Sequence, residues 1–142
     1  MQLNLTTDYA IRALLVLHAV GNELSSSEIS ETIVVEREFT QKILRRLRKA
    51  GMVKSTRGKN GGYRLARPLS EITLFDVLSV TEETMKINRC LEKDHFCSRM
   101  KGRDLSECQS HRFYTSFQGL LDKIFLNTTL QQIMDGTYKL RI

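Results

Sequence analysis

The sequence has no long hydrophobic run, and this absence excludes one class of protein. None of its apolar stretches approaches the roughly 20 residues that a membrane-spanning helix needs, so we expect no membrane partner. Residues 1–8 lack the basic region followed by an apolar stretch that marks a secretory signal peptide. We therefore expect a cytoplasmic protein.

Cysteine and proline are scarce, and internal repeats and low-complexity tracts are absent. The chain has one proline and three cysteines among its 142 residues. An odd number of cysteines in a cytoplasmic chain argues against a disulfide framework. Metal binding, redox chemistry or coincidence are the interpretations that stay open for them. The length fits one domain of ordinary size.

Positive charge is concentrated in one part of the chain. Residues 36–67 contain eleven lysines and arginines against two glutamates, whereas residues 68–142 contain ten charges of each sign. A cationic stripe of this kind suits a polyanion, with DNA or RNA first. The alternative is a solvated helix face that binds nothing, but the even balance elsewhere favours a binding surface.

Hydrophobic spacing predicts a mainly α-helical fold that contains one small β-hairpin. The first helix is capped by Thr6 or Thr7 and ends at Gly21, and Gly51 ends the third as a left-handed cap. The predicted helices span residues 8–20, 25–32, 37–50, 72–82, 107–126 and 130–134, and the hairpin strands span 52–57 and 63–67.

Two short helices followed by a hairpin are typical of a winged helix-turn-helix domain. The third helix combines a buried apolar face with a polar face. Gln41 lies near its beginning and can pair with adenine through two hydrogen bonds. The same polar face carries cations suited to phosphate: Lys42, Arg45, Arg46 and Lys49.

The hairpin tip is rich in glycine and flanked by cations. Glycines at 58, 61 and 62 permit a tight turn and close approach to a sugar-phosphate backbone, and Arg57 and Lys59 could enter a minor groove. An ordinary surface hairpin would need glycine too. The adjacent basic helix favours a DNA-binding wing.

Three cysteines and a histidine lie in and beside one polar segment. Cys90, Cys97 and Cys108 are separated by six and ten residues, and His111 follows one helical turn after the last. Thiolates suit zinc and iron–sulfur clusters, although the missing Cys-x-x-Cys pair weakens the structural-zinc interpretation. The alternative is three unremarkable cysteines, some of them packed in the core.

The long helix that follows has an apolar stripe too large for one small winged domain to cover. This stripe predicts a homodimer held through residues 110–135. Its apolar residues are Phe113, Phe117, Leu120, Leu121, Ile124 and Phe125.

Three segments resemble the Rrf2 family of bacterial transcription regulators, which includes IscR, NsrR and CymR. They are residues 5–12 (LTTDYAIR), 47–53 (LRKAGMV) and 57–66 (RGKNGGYRLA), and the similarity extends along essentially the whole chain. The resemblance implies a homodimer joined by the long C-terminal helix, with two winged domains on a palindromic operator. It also implies that Gln41 and Arg57 match positions used to read bases and the groove.

The resemblance also implies a ligand set for the cysteines. In IscR-like members, three cysteines and the histidine that matches His111 together ligate a 2Fe–2S cluster. In the NsrR-like branch, an acidic residue of the first helix, which matches Asp8, comes from the partner chain instead. The gap before Cys108 is longer than the usual family loop, so a 4Fe–4S cluster stays open beside the favoured 2Fe–2S. Without any metal, Asp8 also suits a first helical turn.

These patterns together predict three parts and one leading function. Residues 1–83 form the winged helix-turn-helix domain, 84–109 the cysteine-bearing loop, and 110–142 the dimerisation helix and tail. The predicted function is a DNA-binding regulator, a repressor, whose iron–sulfur cluster senses iron, redox or nitric-oxide status. The alternatives are a winged-helix regulator with a zinc or thiol-redox switch, and a hydrolase or transferase using Cys108 and His111.

Overall fold

The computed structural model describes residues 2–58, 61–94, 96–101 and 104–140, and its elements confirm the predicted winged helix-turn-helix order. Over these residues the regular elements are α1 (Leu5–Val20), α2 (Ser26–Ile33), α3 (Arg37–Lys49), β1 (Val53–Ser55), β2 (Tyr63–Leu65), α4 (Leu74–Thr81), α5 (Gln109–Asn127) and α6 (Leu130–Asp135). The two strands pair antiparallel, with Val53 opposite Leu65. Short 3-10 helices span Leu69–Glu71, Arg89–Leu91 and Leu105–Glu107.

Local capping sets most helix boundaries. The side chains of Ser25, Thr73 and Thr129 each accept a hydrogen bond from the backbone amide three residues later. The Glu, Asp or Gln side chain at that later position accepts one from the backbone amide of the cap residue. The first helix differs from the prediction, because its cap is Asn4 rather than Thr6 or Thr7. Thr7 is buried, and its hydroxyl lies 2.7 Å from the Thr81 hydroxyl of α4.

The core lies where α1, α2 and α3 meet. Ala10 and Ala13 on α1 are fully buried, and their small side chains let the neighbouring helices approach closely. Leu14, Ile29 and Leu44 fill the centre. Burying a leucine or isoleucine of this kind stabilises the fold by about 1.5–3 kcal/mol.

The end of the chain returns to this core. Leu130 of α6 is fully buried, and its amide donates to the Ile72 carbonyl at 2.9 Å. The Leu74 amide donates to the Thr128 carbonyl at 2.8 Å. The start of α4 is therefore joined to the end of α5, and the three-part division of the chain stays a prediction. None of the described helices is long and apolar enough to cross a bilayer.

Candidate nucleic-acid interface and cysteine centre

One line of α3 carries exposed positive charge. Ile43, Leu44 and Leu47 bury one side of the helix, so residues half a turn away face outward. The exposed line runs through Lys42, Arg45 and Lys49 at spacings of three and four residues. Within the described part of the chain, none of these three cations forms a salt bridge. Their positive charge is therefore available to an anion.

Arg46 is also exposed, one helical turn after Lys42. It lines a shallow groove beside α4 together with Lys49 and Val80. The sequence groups Arg46 with the other phosphate-binding cations. In the structure it lies next to them, on the side of the exposed line that faces α4.

The opposite flank of α3 faces α2 and the hairpin. Gln41 is half-buried, and its Nε2 donates to the Ser26 hydroxyl at the start of α2 over 3.2 Å. Seven residues later, Arg48 donates to the Ser55 hydroxyl of β1 over 3.0 Å. We did not single out Ser26 from the sequence, although the run Ser25-Ser26-Ser27 at a helix start was the available signal. The bond to Ser26 holds the Gln41 amide in one orientation.

The hairpin is attached to the loop between α1 and α2. Leu24 and Tyr63 exchange two backbone hydrogen bonds, of 3.0 and 2.7 Å. Glu23 accepts from the Thr56 hydroxyl at 2.5 Å and lies 3.3 Å from the Arg64 guanidinium. Sequence reasoning missed Glu23, because both of its partners lie more than thirty residues away. These contacts fix the base of the wing.

Two of the glycines in the wing are required because neighbouring backbone leaves no room for a side chain. A Cβ on Gly62 would lie 2.6 Å from the Leu24 carbonyl oxygen, and one on Gly61 would lie 2.2 Å from that of Thr56. Gly58 has the left-handed φ of 120° that a turn uses. Internal packing therefore explains Gly61 and Gly62 without contact to DNA. Arg57 is exposed beside them, and Lys59 lies outside the described residues.

A single methyl group at Gly62 should test this packing. We expect Gly62→Ala to lower the free energy of unfolding by about 1–3 kcal/mol, because it clashes with rigid backbone. Gly119→Ala is the matched control, since its Cβ meets nothing within 4 Å on helix α5. That change should stabilise the protein by about 0.5–1 kcal/mol. Urea unfolding measures both, and equal effects would contradict the role of Gly62.

The three cysteines occupy three different local structures. Cys90 lies in the 3-10 helix Arg89–Leu91, where its amide donates to the Asn88 side chain. Cys97 begins a turn closed by the Met100 amide, and Cys108 is the cap residue of α5. All three thiols are free and half-buried. Each is accessible enough to meet a metal yet partly shielded from water.

His111 meets a different cysteine from the one that sequence spacing favours. Its Nδ1 lies 3.4 Å from the Sγ of Cys90, twenty-one residues earlier in the chain. Within the ranges described, no group of three or more metal-ligating side chains is assembled. The structure therefore brings together two of the four predicted ligands, a thiol and an imidazole. Cys97 and Cys108 stay predicted ligands, and His95, which we expect to be solvated, lies outside the described residues.

The segment before Cys90 is attached to α5 through one side chain. Gln118 accepts from the Ile87 amide at 2.9 Å and donates to the Met85 carbonyl at 3.1 Å. We did not single out Gln118 from the sequence, and its only signal was a glutamine on the inner side of the long helix. This attachment places the cysteine segment along α5.

An ion pair lies beside Cys90. The Arg89 guanidinium binds both carboxylate oxygens of Asp94. Its hydrogen bonds lower the pKa of Asp94, and Asp94 in turn raises the pKa of Arg89. Because the pKa of Asp94 is lowered, the ion pair stabilises the folded state fully at pH values above the ordinary aspartate pKa. This stabilisation is lost as the pH falls through the lowered pKa. Both groups are exposed, so the contribution to stability is small.

Asp8 has a partner within its own helix. Its carboxylate lies 2.6 Å from the guanidinium of Arg12, one turn later, and both side chains are half exposed. Asp8 also lies in the first turn of α1, where a negative charge is favourable. Helix stabilisation therefore accounts for Asp8 within one chain, and its role as alternative fourth ligand stays a prediction.

The apolar side of α5 is divided between two environments. Leu121 and Phe125 face inward and line a small cavity with Leu78 of α4. Phe113, Phe117 and Leu120 face outward, with 64%, 42% and 41% of their surface exposed, and the first two rings stack. The sequence predicts one continuous stripe. The structure leaves only its outer part uncovered.

Comparison with known proteins assigns the chain to a family. The sequence profile of the Rrf2 family, described as iron-dependent transcriptional regulator, matches residues 3–136. Over 93 residues, 65% of this chain, the sequence is 47% identical to Protein aau3 of Rhizobium meliloti (strain 1021). That match spans 60% of the relative, which is less than two thirds of its length.

Solved structures share the fold. CymR (YrzC), the global cysteine regulator of B. subtilis, has a TM-score of 0.74 at 21% identity, over 96% of this chain and 98% of that one. T. potens IscR has a TM-score of 0.63 at 24% identity, over 100% and 92% of the two chains. A putative transcriptional regulator from Listeria innocua reaches 0.79 at 20% identity, over 98% and 90%.

The comparisons also decide between a regulator and an enzyme. The hydrolase or transferase alternative paired Cys108 with His111, whereas His111 contacts Cys90. The family profile covers nearly the whole chain and names a transcriptional regulator. The chain therefore belongs to the Rrf2 family, whose members are DNA-binding transcriptional regulators and not enzymes.

Proposed function

We propose that this chain is a homodimeric repressor that binds a palindromic operator and senses iron, redox or nitric-oxide status through an iron–sulfur cluster. The observation that carries the proposal is the contact between Cys90 and His111, formed across the cysteine loop at the start of α5. A 2Fe–2S cluster is the first candidate and a 4Fe–4S cluster the second.

The donor set fits such a cluster. Cys90, Cys97 and Cys108 offer three thiolates, and His111 offers a nitrogen already beside one of them. Asp8, from the partner chain, is the alternative fourth ligand. A bound cluster would supply a group whose charge and integrity change with oxidants and nitric oxide. The chain would hold it at the junction between the winged domain and α5.

The operator contacts follow from the charges on α3 and the wing. Lys42, Arg45, Arg46 and Lys49 would bind phosphates, which gives affinity without sequence information. Gln41 would read adenine, with Ser26 holding its amide. Arg57 and Lys59 would enter the minor groove from the wing.

Sensing requires that the cluster alter DNA binding. Two recognition helices must meet half-sites about 34–36 Å apart, or a multiple of that spacing. The cysteine segment leaves α4 and contacts α5, so it lies between the winged domain and the proposed dimer helix. Gain or loss of the cluster would favour one placement of the two recognition helices, which is an allosteric coupling.

The second candidate is a winged-helix regulator with a zinc or thiol-redox switch at the same residues. It is favoured by the fact that only two ligands are in contact across the described residues. Anaerobic purification followed by an ultraviolet-visible spectrum and iron and sulfide assays separates the two. Brown or red protein with acid-labile sulfide supports the cluster, whereas colourless protein with stoichiometric zinc supports the alternative.

Arg45 and Gln41 should differ in what they contribute to DNA binding. We expect Arg45→Ala to weaken binding to every sequence and to reduce the slope of log K against log salt by about one. Gln41→Ala should instead relax the preference for the operator over unrelated DNA. Lys123→Ala removes an exposed cation from α5 and serves as control. Fluorescence anisotropy across a salt series measures all three, and an effect of Lys123 equal to that of Arg45 would refute the α3 interface.

A further inference from the structure

Gln118 is a buried polar residue on a helix whose apolar residues are exposed or only partly buried. Of the described α5 residues it alone is buried, with 4% of its surface exposed. Its amide is fully used, because Oε1 accepts from Ile87 while Nε2 donates to the Met85 carbonyl and to Asp122 Oδ1 at 2.8 Å. A buried amide costs free energy unless it is hydrogen-bonded. These bonds therefore hold Gln118 against residues 85–90, called the segment below.

The Gln118 contacts lie near the Cys90–His111 pair, both along the segment and along α5. Ile87 precedes Cys90 by three residues, which reach at most about 10–11 Å of extended chain. His111 precedes Gln118 by seven residues, which is about 10.5 Å along two helical turns and returns to the same helix face. The two contacts therefore lie about two helical turns apart on one face of α5, and the segment runs antiparallel to the helix.

Gln118 also fixes the register of the segment. The oxygen of its planar side-chain amide accepts from Ile87, and the nitrogen of the same amide donates to Met85, two residues earlier. A slip by one residue would break both bonds and move Cys90 about 3.3 Å along α5. We propose that Gln118 is a positioning residue of the metal site, which sets the segment in the register that brings Cys90 to His111. This inference rests on the proposed metal-binding function.

The end of α4, from which the segment continues, is bonded to the residue that caps α1. The Asn4 amide donates to the Glu82 carboxylate at 3.0 Å, and the Asn4 side chain donates to the Thr81 carbonyl at 3.0 Å. The segment therefore starts from a point that is fixed within the winged domain, and Gln118 holds it a few residues later. Loss of the Gln118 contact should therefore also weaken the effect of metal on operator affinity.

The test compares two glutamines with similar local bonding. Gln118 and Gln131 each donate to an aspartate four residues later, but the recorded Gln131 bonds stay within α6. We expect Gln118→Leu to speed chelator-driven loss of iron by about tenfold or more, and Gln131→Leu to leave it unchanged. If the wild type holds zinc instead, zinc release is followed in the same way. Equal release rates for Gln118→Leu and wild type would overturn the proposal.

A measurement on the metal-free protein separates this inference from the proposed function. We expect a nuclear Overhauser contact between the His111 ring and the Cys90 Cβ protons in the wild type and its loss in Gln118→Leu. Persistence of that contact would overturn the positioning role, whether or not the protein binds a metal. A wild type that holds neither iron nor zinc would refute the proposed function instead.

If Gln118→Leu fails to fold, a second pair of variants exchanges the amide of residue 118 with the carboxylate of residue 122. Gln118→Glu keeps an acceptor for Ile87, but it loses the donor to the Met85 carbonyl and places a carboxylate against Asp122, so we expect faster metal release. Adding Asp122→Asn supplies a donor to that carboxylate but leaves the Met85 carbonyl without one, so we expect a release rate between those of the single variant and the wild type. A double variant no better than the single one would contradict the proposed geometry.

Discussion

Serine in place of any one of Cys90, Cys97 or Cys108 should abolish or greatly weaken retention of the cluster. The chain has only three cysteines to offer as thiolates, and a serine hydroxyl is a far poorer ligand for iron. Iron and acid-labile sulfide per chain, measured after anaerobic purification from iron-replete cells, give the readout. Full retention in any of the three variants would remove that cysteine from the site.

The fourth ligand is decided by a pair of variants. We expect His111→Ala to shift the reduction potential of the cluster and to make that potential independent of pH, because an imidazole ligand can carry a proton. Asp8→Ala should leave the spectrum unchanged, since Asp8 is paired with Arg12. The opposite pattern, with the spectrum sensitive to Asp8 and indifferent to His111, would establish the NsrR-like ligation. Stoichiometric zinc without sulfide would refute the cluster and leave the DNA-binding interpretation intact.

The exposed face of α5 predicts the second large effect, which is loss of the dimer. Phe117 lies at the centre of the outward stripe, between Phe113 and Leu120. Fully burying a phenylalanine contributes about 1.5–3 kcal/mol, and a symmetric dimer would bury the exposed 42% of Phe117 twice. We therefore expect Phe117→Asp to weaken dimerisation by about tenfold to a hundredfold.

Sedimentation at micromolar concentration measures this effect. Phe117→Asp should give monomers with greatly reduced operator affinity, whereas Thr115→Asp, exposed on another side of α5, should stay dimeric. Leu121 is a poorer choice of variant, because it faces the cavity beside α4 and its loss would disturb the fold. A wild type that sediments as a monomer would refute the dimer.

The helices could be predicted closely from sequence, because their ends are set by local chemistry. Ser25, Thr73 and Thr129 each act with a partner three residues away, so a short stretch of sequence contains the whole signal. The α1 cap was misassigned because the choice among Asn4, Thr6 and Thr7 depends on burial of Thr7 against α4. That burial is a tertiary contact across seventy-four residues.

The candidate site was less predictable, because it depends on contacts between distant segments. Spacing along a helix favours Cys108 as the neighbour of His111, whereas the observed neighbour is Cys90. Gln118 and Glu23 act through partners about thirty residues away, so no periodicity reveals them. The division of the α5 stripe likewise depends on which residues α4 covers.

The attachment of the wing to Leu24 has a consequence for the entropy of DNA binding. A mobile loop loses about 1–2 kcal/mol of backbone conformational entropy for each residue that it orders on a ligand. The two bonds between Leu24 and Tyr63 order the base of the wing in the free protein. That cost is therefore met during folding, and the base of the wing approaches DNA preorganised.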